Sequence, residues 1–172
     1  MVLDVDSLLR KGEIPAQFVL EQNGNPGDYE DPTAEVVKTR IEGTVEPVGA
    51  GVYQISGMLT FWYQTQCARC LAPVSGCESV DIFEEFARSE SEEYPDRYLY
   101  EGQTLNLTQM VEDCIALNMP LRTLCSEDCK GLCPVCGADR NKESCSCSTG
   151  EDPQLNPFAV LAAKLREENE EV

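Results

Sequence analysis

Histidine is absent from all 172 residues, and bases are scarce: 13 Lys and Arg face 31 Asp and Glu, for a formal charge of −18. Without histidine there is no Ser-His-Asp or Cys-His pair for nucleophilic catalysis, and no imidazole ligand for a metal. Glycine-rich phosphate loops are also missing. The adjacent carboxylates Glu84/Glu85 and Glu92/Glu93 would face opposite sides of a strand, which makes them poor acid–base pairs. A non-enzymatic protein is expected. No apolar stretch is long enough to span a bilayer, and Met1–Asp6 has neither the basic nor the apolar region of an export signal. The expected location is cytoplasmic, without a membrane partner. Internal repeats and low-complexity blocks are absent too.

Cysteine is abundant instead. Six of ten fall within 23 residues, as Cys125-SED-Cys129-KGL-Cys133-PV-Cys136-Gly137 followed by Cys145-Ser-Cys147, and Cys67-Ala-Arg-Cys70 lies upstream. In a reducing compartment such a pattern points to metal rather than disulfides. A Cys-x-x-Cys turn lets two sulfurs converge on one tetrahedral ion, and Gly137 can supply the left-handed residue such a turn needs. Zinc is the expected cofactor, in two ions, although iron fits the same closed sulfur set. A redox-active Cys-x-x-Cys would sit in a βαβ unit, and none is visible.

The favoured partition pairs Cys67 and Cys70 with Cys125 and Cys129, and closes a local site from Cys133, Cys136, Cys145 and Cys147. A rival makes the six clustered cysteines a two-metal site. Cys77 and Cys114 fit neither; Cys114 lies on an apolar helix face. The segment 125–149 has few large apolar residues beyond Leu132 and Val135, so metal must supply its folding energy, on the order of 10 kcal/mol.

The expected fold class is α+β: an antiparallel β-meander packed with helices, plus a small zinc-ribbon-like module. The expected division is 1–120 for the sheet domain with one helix, 121–149 for the cysteine module and 150–172 for a C-terminal helix. A strand is predicted at Ala16–Leu20. The meander then places Val37, Thr39, Ile41, Gly43 and Val45 on one face, and next Tyr53, Ile55, Gly57, Leu59, Phe61 and Tyr63. A third strand runs from about Val74 to Phe86, with Val80, Ile82 and Phe86 inward. Cys67 and Cys70 thus join the second and third strands. Tyr98–Tyr100 reads as a short strand. Asn106 with Gln109 suggests a capping box for a helix through Leu107, Met110, Val111 and Cys114 to Pro120. After a linker at 148–153, Asn156 and Pro157 begin a last helix.

Charge is uneven. Nine acids and two bases lie between Glu78 and Glu101, whereas Arg122, Lys130, Arg140 and Lys142 outnumber the acids of 122–142. Those four cations either compensate thiolate charge or contact phosphate. So acidic a chain repels nucleic acid over most of its surface, so its partners would be basic proteins, or a nucleic acid met only at a local patch.

The chain resembles the YceD family of large ribosomal RNA subunit accumulation proteins. The resemblance rests on Cys67-Ala-Arg-Cys70-Leu71, the helix ending Leu117-Asn118-Met119-Pro120, the run Leu124 to Gly137 with Cys145-Ser-Cys147, and Asn156-Pro157-Phe158-Ala159-Val160-Leu161. It implies a non-enzymatic factor for synthesis, processing or stability of 23S ribosomal RNA. Joined to the charge split, it leads us to expect a basic ribosomal protein or assembly factor as partner, with ribosomal RNA contacted through the zinc module. The alternatives are a direct RNA-binding zinc module and a thiol-based redox or metal sensor.

Overall fold

A computed structural model describes residues 1–10, 12, 14–26, 34–90, 92 and 94–147. The expected linker at 148–153 and the helix from Asn156 lie outside the described residues. The chain divides into two compact units, 1–125 and 126–172.

The first unit is built on three long strands, β3 (Ala34–Gly49), β4 (Val52–Gln66) and β5 (Pro73–Ala87), flanked by β2 (Ala16–Asn23) and β6 (Tyr98–Leu99) in the order β2-β3-β4-β5-β6. The meander is antiparallel throughout, but β6 pairs parallel to β5, so the sheet is mixed. Alternation is the reason these segments are strands: Ile55, Leu59, Phe61 and Tyr63 are all buried on one face of β4, while the polar residues between them stay wet. In β3 the alternation breaks. Register shifts between Val36 and Lys38, so Val36, not Val37, enters the core with Thr39, Ile41 and Val45. A bulge inserts one residue and reverses the facing of everything before it.

Gly43 and Gly57 face each other across β3 and β4. A Cβ on either would collide with neighbouring backbone, on Ser56 for Gly43 and on Glu42 for Gly57. The strands approach too closely there for any side chain.

The inner face of the sheet packs against a helix and a two-stranded ribbon. The ribbon pairs β1 (Val2–Asp4) with β7 (Thr104–Asn106), and α1 (Val5–Leu9) follows β1. None of the three was expected from the sequence. The signal for α1 was local: Asp4 accepts from Ser7 through both backbone N–H (3.0 Å) and hydroxyl (2.6 Å), an N-cap geometry. The predicted helix is α2 (Thr108–Asn118), which buries Met110, Val111 and Ile115. Its expected capping box does not form. Leu107 occupies the N-cap without a side-chain bond, and Asn106 Oδ1 accepts from Thr108 N–H at 3.1 Å. Met119 turns extended at ψ 126°, as a residue before proline must.

Phe61, Phe86, Ile41, Ile55, Leu59, Leu105, Leu107 and Met110 are fully buried in one cluster. At about 1.5–3 kcal/mol for each large side chain, this core stabilises the first unit without metal. Among the described residues no helix is long and apolar enough to cross a membrane.

Candidate metal centres

The first knuckle is the connection between β4 and β5. Cys67 follows the last residue of β4, so the sheet itself aims the first thiol. Its N–H donates to Ala72 O at 2.8 Å, and Leu71 N–H returns to Cys67 O at 2.9 Å. Closing this turn puts Leu71 in the left-handed region at φ 60°, a conformation that costs a side-chain-bearing residue about 1–2 kcal/mol. Ala68 N–H donates to Thr123 O at 2.9 Å, which draws the segment after α2 alongside the knuckle. Cys70 Sγ then lies 3.5 Å from Cys125 Sγ.

The second knuckle, Cys133–Ala138, repeats this pattern within the second unit. Cys133 N–H donates to Ala138 O at 2.8 Å, Gly137 N–H donates to Cys133 O at 2.9 Å, and Gly137 takes φ 75°. Here the left-handed position carries the glycine it favours, as the spacing predicted. An isolated antiparallel bridge between Leu132 and Asp139 frames the turn.

Two groups of four sulfurs result, Cys67, Cys70, Cys125 and Cys129, and Cys133, Cys136, Cys145 and Cys147, each with all its sulfurs within 4.8 Å of one another. Tetrahedral Zn–S bonds of about 2.3 Å set ligand sulfurs about 3.8 Å apart, so both donor sets fit such an ion. None of the ten cysteines is disulfide-bonded. The favoured partition matches these groups; the rival two-metal cluster does not. Cys77 is exposed on β5 and Cys114 half-buried on α2, outside either group. Burial, reinforced by the Glu84 and Asp113 carboxylates, pushes the Cys114 thiol up to about 11, so it stays protonated and inert.

The electrostatics of the sulfurs prepare them as ligands. Burial alone would raise Cys67. The N–H groups of Cys125, Arg69 and Cys70 directed at its sulfur outweigh that and bring it down to about 6. Cys133 also falls to about 6, because the N–H groups of Cys136 and Val135 point at it. Their neighbours move the other way: Cys147, hydrogen-bonded to Cys136, rises to about 12, and Cys145, bonded to Cys133, rises as well. Four crowded sulfurs cannot all ionise without a cation among them. A bound cation supplies the charge that lets the remaining protons leave.

The second unit holds its loop through Asn141. Asn141 Oδ1 accepts from Lys130 N–H at 2.8 Å, and its Nδ2 donates to Cys129 Sγ at 3.4 Å and to Asp139 Oδ1 at 2.8 Å. Sequence reading passed over this residue, although the Asp139-x-Asn141 spacing is that of a side-chain-braced turn.

Three of the four predicted cations come together. Lys130, Arg140 and Lys142 line a depression of about 410 Å³ with Asn141, Glu143 and Ser144, and Lys142 also pairs with Asp139 at 3.2 Å. Arg122 belongs to the first unit, where it lines a separate depression with Pro120 and Leu121. The first unit also carries an acidic cleft of about 1180 Å³, lined by Glu84, Glu90, Glu92, Asp96 and Asp113. Burial first, then the carboxylates of Asp113 and Asp96, hold Glu84 above the usual carboxylate range.

The family profile described as "Large ribosomal RNA subunit accumulation protein YceD" matches residues 55–164 and so takes in every cysteine of both groups. The chain belongs to the YceD family. This YceD-family chain is similar to an uncharacterised protein of Mycobacterium tuberculosis, 36% identical over 104 residues, covering 54% of this chain and 47% of that protein. An uncharacterised protein of Mycobacterium leprae is 31% identical over 99 residues, covering 54% and 45%. The large ribosomal RNA subunit accumulation protein YCED homolog 1, chloroplastic, of Arabidopsis thaliana is 28% identical over 68 residues, covering 39% and 21%. The chain therefore spans about half the length of its mycobacterial relatives. No solved structure matches it.

Proposed function

We propose that this YceD-family protein is a non-catalytic, zinc-stapled cytoplasmic factor that supports the synthesis, processing or stability of 23S ribosomal RNA. The observation that carries this reading is the family match, which encloses both cysteine groups. Each group would hold one zinc with four thiolates. Such a closed site keeps no position for water or substrate, so its contribution is folding energy. We further propose that the protein acts by holding a basic ribosomal protein or assembly factor. The acidic cleft beneath Glu84, Asp96 and Asp113, on a chain of charge −18, supports a basic partner.

The depression formed by Lys130, Arg140 and Lys142 favours a second reading, in which the second unit contacts ribosomal RNA directly. One experiment separates the two. Metal-loaded protein is titrated with purified 23S ribosomal RNA and with the basic large-subunit proteins, at several salt concentrations. The partner reading expects protein binding that weakens in the triple variant Glu84→Gln, Asp96→Asn, Asp113→Asn, with RNA binding weak. Tight RNA binding, abolished by neutralising Lys130, Arg140 and Lys142, would replace it with the RNA reading. A thiol sensor would instead lose zinc and form disulfides under mild oxidant while the sheet stayed folded.

A further inference from the structure

We propose that Asn141 is a positioning residue that makes the two metal centres bind cooperatively. This inference rests on the two-metal reading above.

Asn141 sits between Cys136 and Cys145, in the loop that the second centre closes, yet its amide reaches Cys129, a ligand of the first. Its orientation is fixed chemically. Lys130 N–H is a donor, so the amide oxygen must face it at 2.8 Å. The NH₂ group therefore faces Cys129 Sγ at 3.4 Å and the Asp139 carboxylate at 2.8 Å. Cys129 is only 3% exposed, so water cannot easily replace that donor. An N–H aimed at a buried sulfur fixes the direction in which that sulfur can offer its remaining lone pairs, the role that outer-shell partners play for metal ligands.

The carboxylate of Asp139 holds Asn141 from behind, accepting from its backbone N–H at 3.0 Å as well. Asp139 is itself fixed by the bridge to Leu132 beside Cys133. Closure of the second centre orders this whole loop, and ordering it delivers the donor to Cys129. Loading the second centre should therefore tighten the first. By linkage, loading the first should tighten the second by the same factor.

The test is cadmium-113 titration of the full chain, followed by NMR, with the two ions read as separate thiolate-coordinated resonances. Wild type, Asn141→Ala, the double variant Cys145→Ser/Cys147→Ser and their combination form a thermodynamic cycle. Asn141→Ala should weaken cadmium at the first centre about 10-fold. Dismantling the second centre should do the same, and the combination should add little. Asn141→Asp, which loses the donor to sulfur and sets a second carboxylate against Asp139, should weaken the first centre at least as much as Asn141→Ala. Two ions bound with effects that simply add, or a first centre within about twofold of wild type in Asn141→Ala, would overturn the coupling alone. Fewer than two ions in wild type would overturn the two-metal reading and the coupling with it.

Discussion

Chelating the metal should unfold the second unit and leave the sheet standing. Among residues 126–147 the buried side chains are Cys129 and Cys133, and Val135 is 53% exposed. Leu132 is only half-buried, worth about 1 kcal/mol, roughly what ordering one residue costs. A structural zinc contributes on the order of 10 kcal/mol. If half of that resists local opening, amide exchange slows by about 10³–10⁴, at about 1.4 kcal/mol per decade. The assay is hydrogen exchange with and without a strong chelator in the presence of reductant. The reporting amides are Gly137, bonded to Cys133 O at 2.9 Å, and Arg140, bonded to Gly131 O at 3.0 Å. Both should fall to unprotected rates, while the amides of β4, paired on both sides, remain slow. Protection of Gly137 and Arg140 by more than about 100-fold in chelator would refute the claim that metal holds this unit together.

Gly57→Ala should destabilise the first unit by about 3 kcal/mol, because its Cβ meets backbone that cannot swing aside; the urea midpoint measures it. Gly137→Leu should cost about 1 kcal/mol, left-handed strain of about 1–2 kcal/mol less the entropy a glycine loses on folding, read as a lower chelator concentration for half-release of the second metal. Leu71→Gly, at a position 59% exposed, should leave the first centre within about 1 kcal/mol of wild type, since strain relief and chain entropy oppose each other. Glu84 binds its proton more tightly folded than unfolded, so it costs stability as pH rises above its ordinary value of 4.5. Glu84→Gln should accordingly raise the thermal midpoint at neutral pH, with the gain vanishing in acid.

Much of this architecture was written in local pattern. The long strands and the position of Cys67 and Cys70 between β4 and β5 follow from alternation and spacing, which favoured the division of eight thiols into two groups without excluding the rival cluster of six. What escaped were features that depend on partners remote in sequence. β1 and β7 are three residues each and exist because they pair with each other, about a hundred residues apart. The bulge between Val36 and Lys38 came from matching β3 to β4, which the sequence of β3 alone does not reveal. Asn141 lacked any apolar or charged signal, and its importance arises wholly from what surrounds its amide.

The contact between Cys70 and Cys125 has a further consequence for the first unit. Those two positions are 55 residues apart along the chain, and between them lie β5, β6, β7 and α2. An ion gripping both would act as a covalent staple does on the unfolded chain. It would shrink the ensemble of conformations open to that half of the fold before any strand forms. In the chain-entropy treatment used for disulfides, a loop of that length corresponds to about 4 kcal/mol. The sheet would then keep its shape without metal but unfold far more readily, so the first centre's ion would set the endurance of a unit that does not need it to fold.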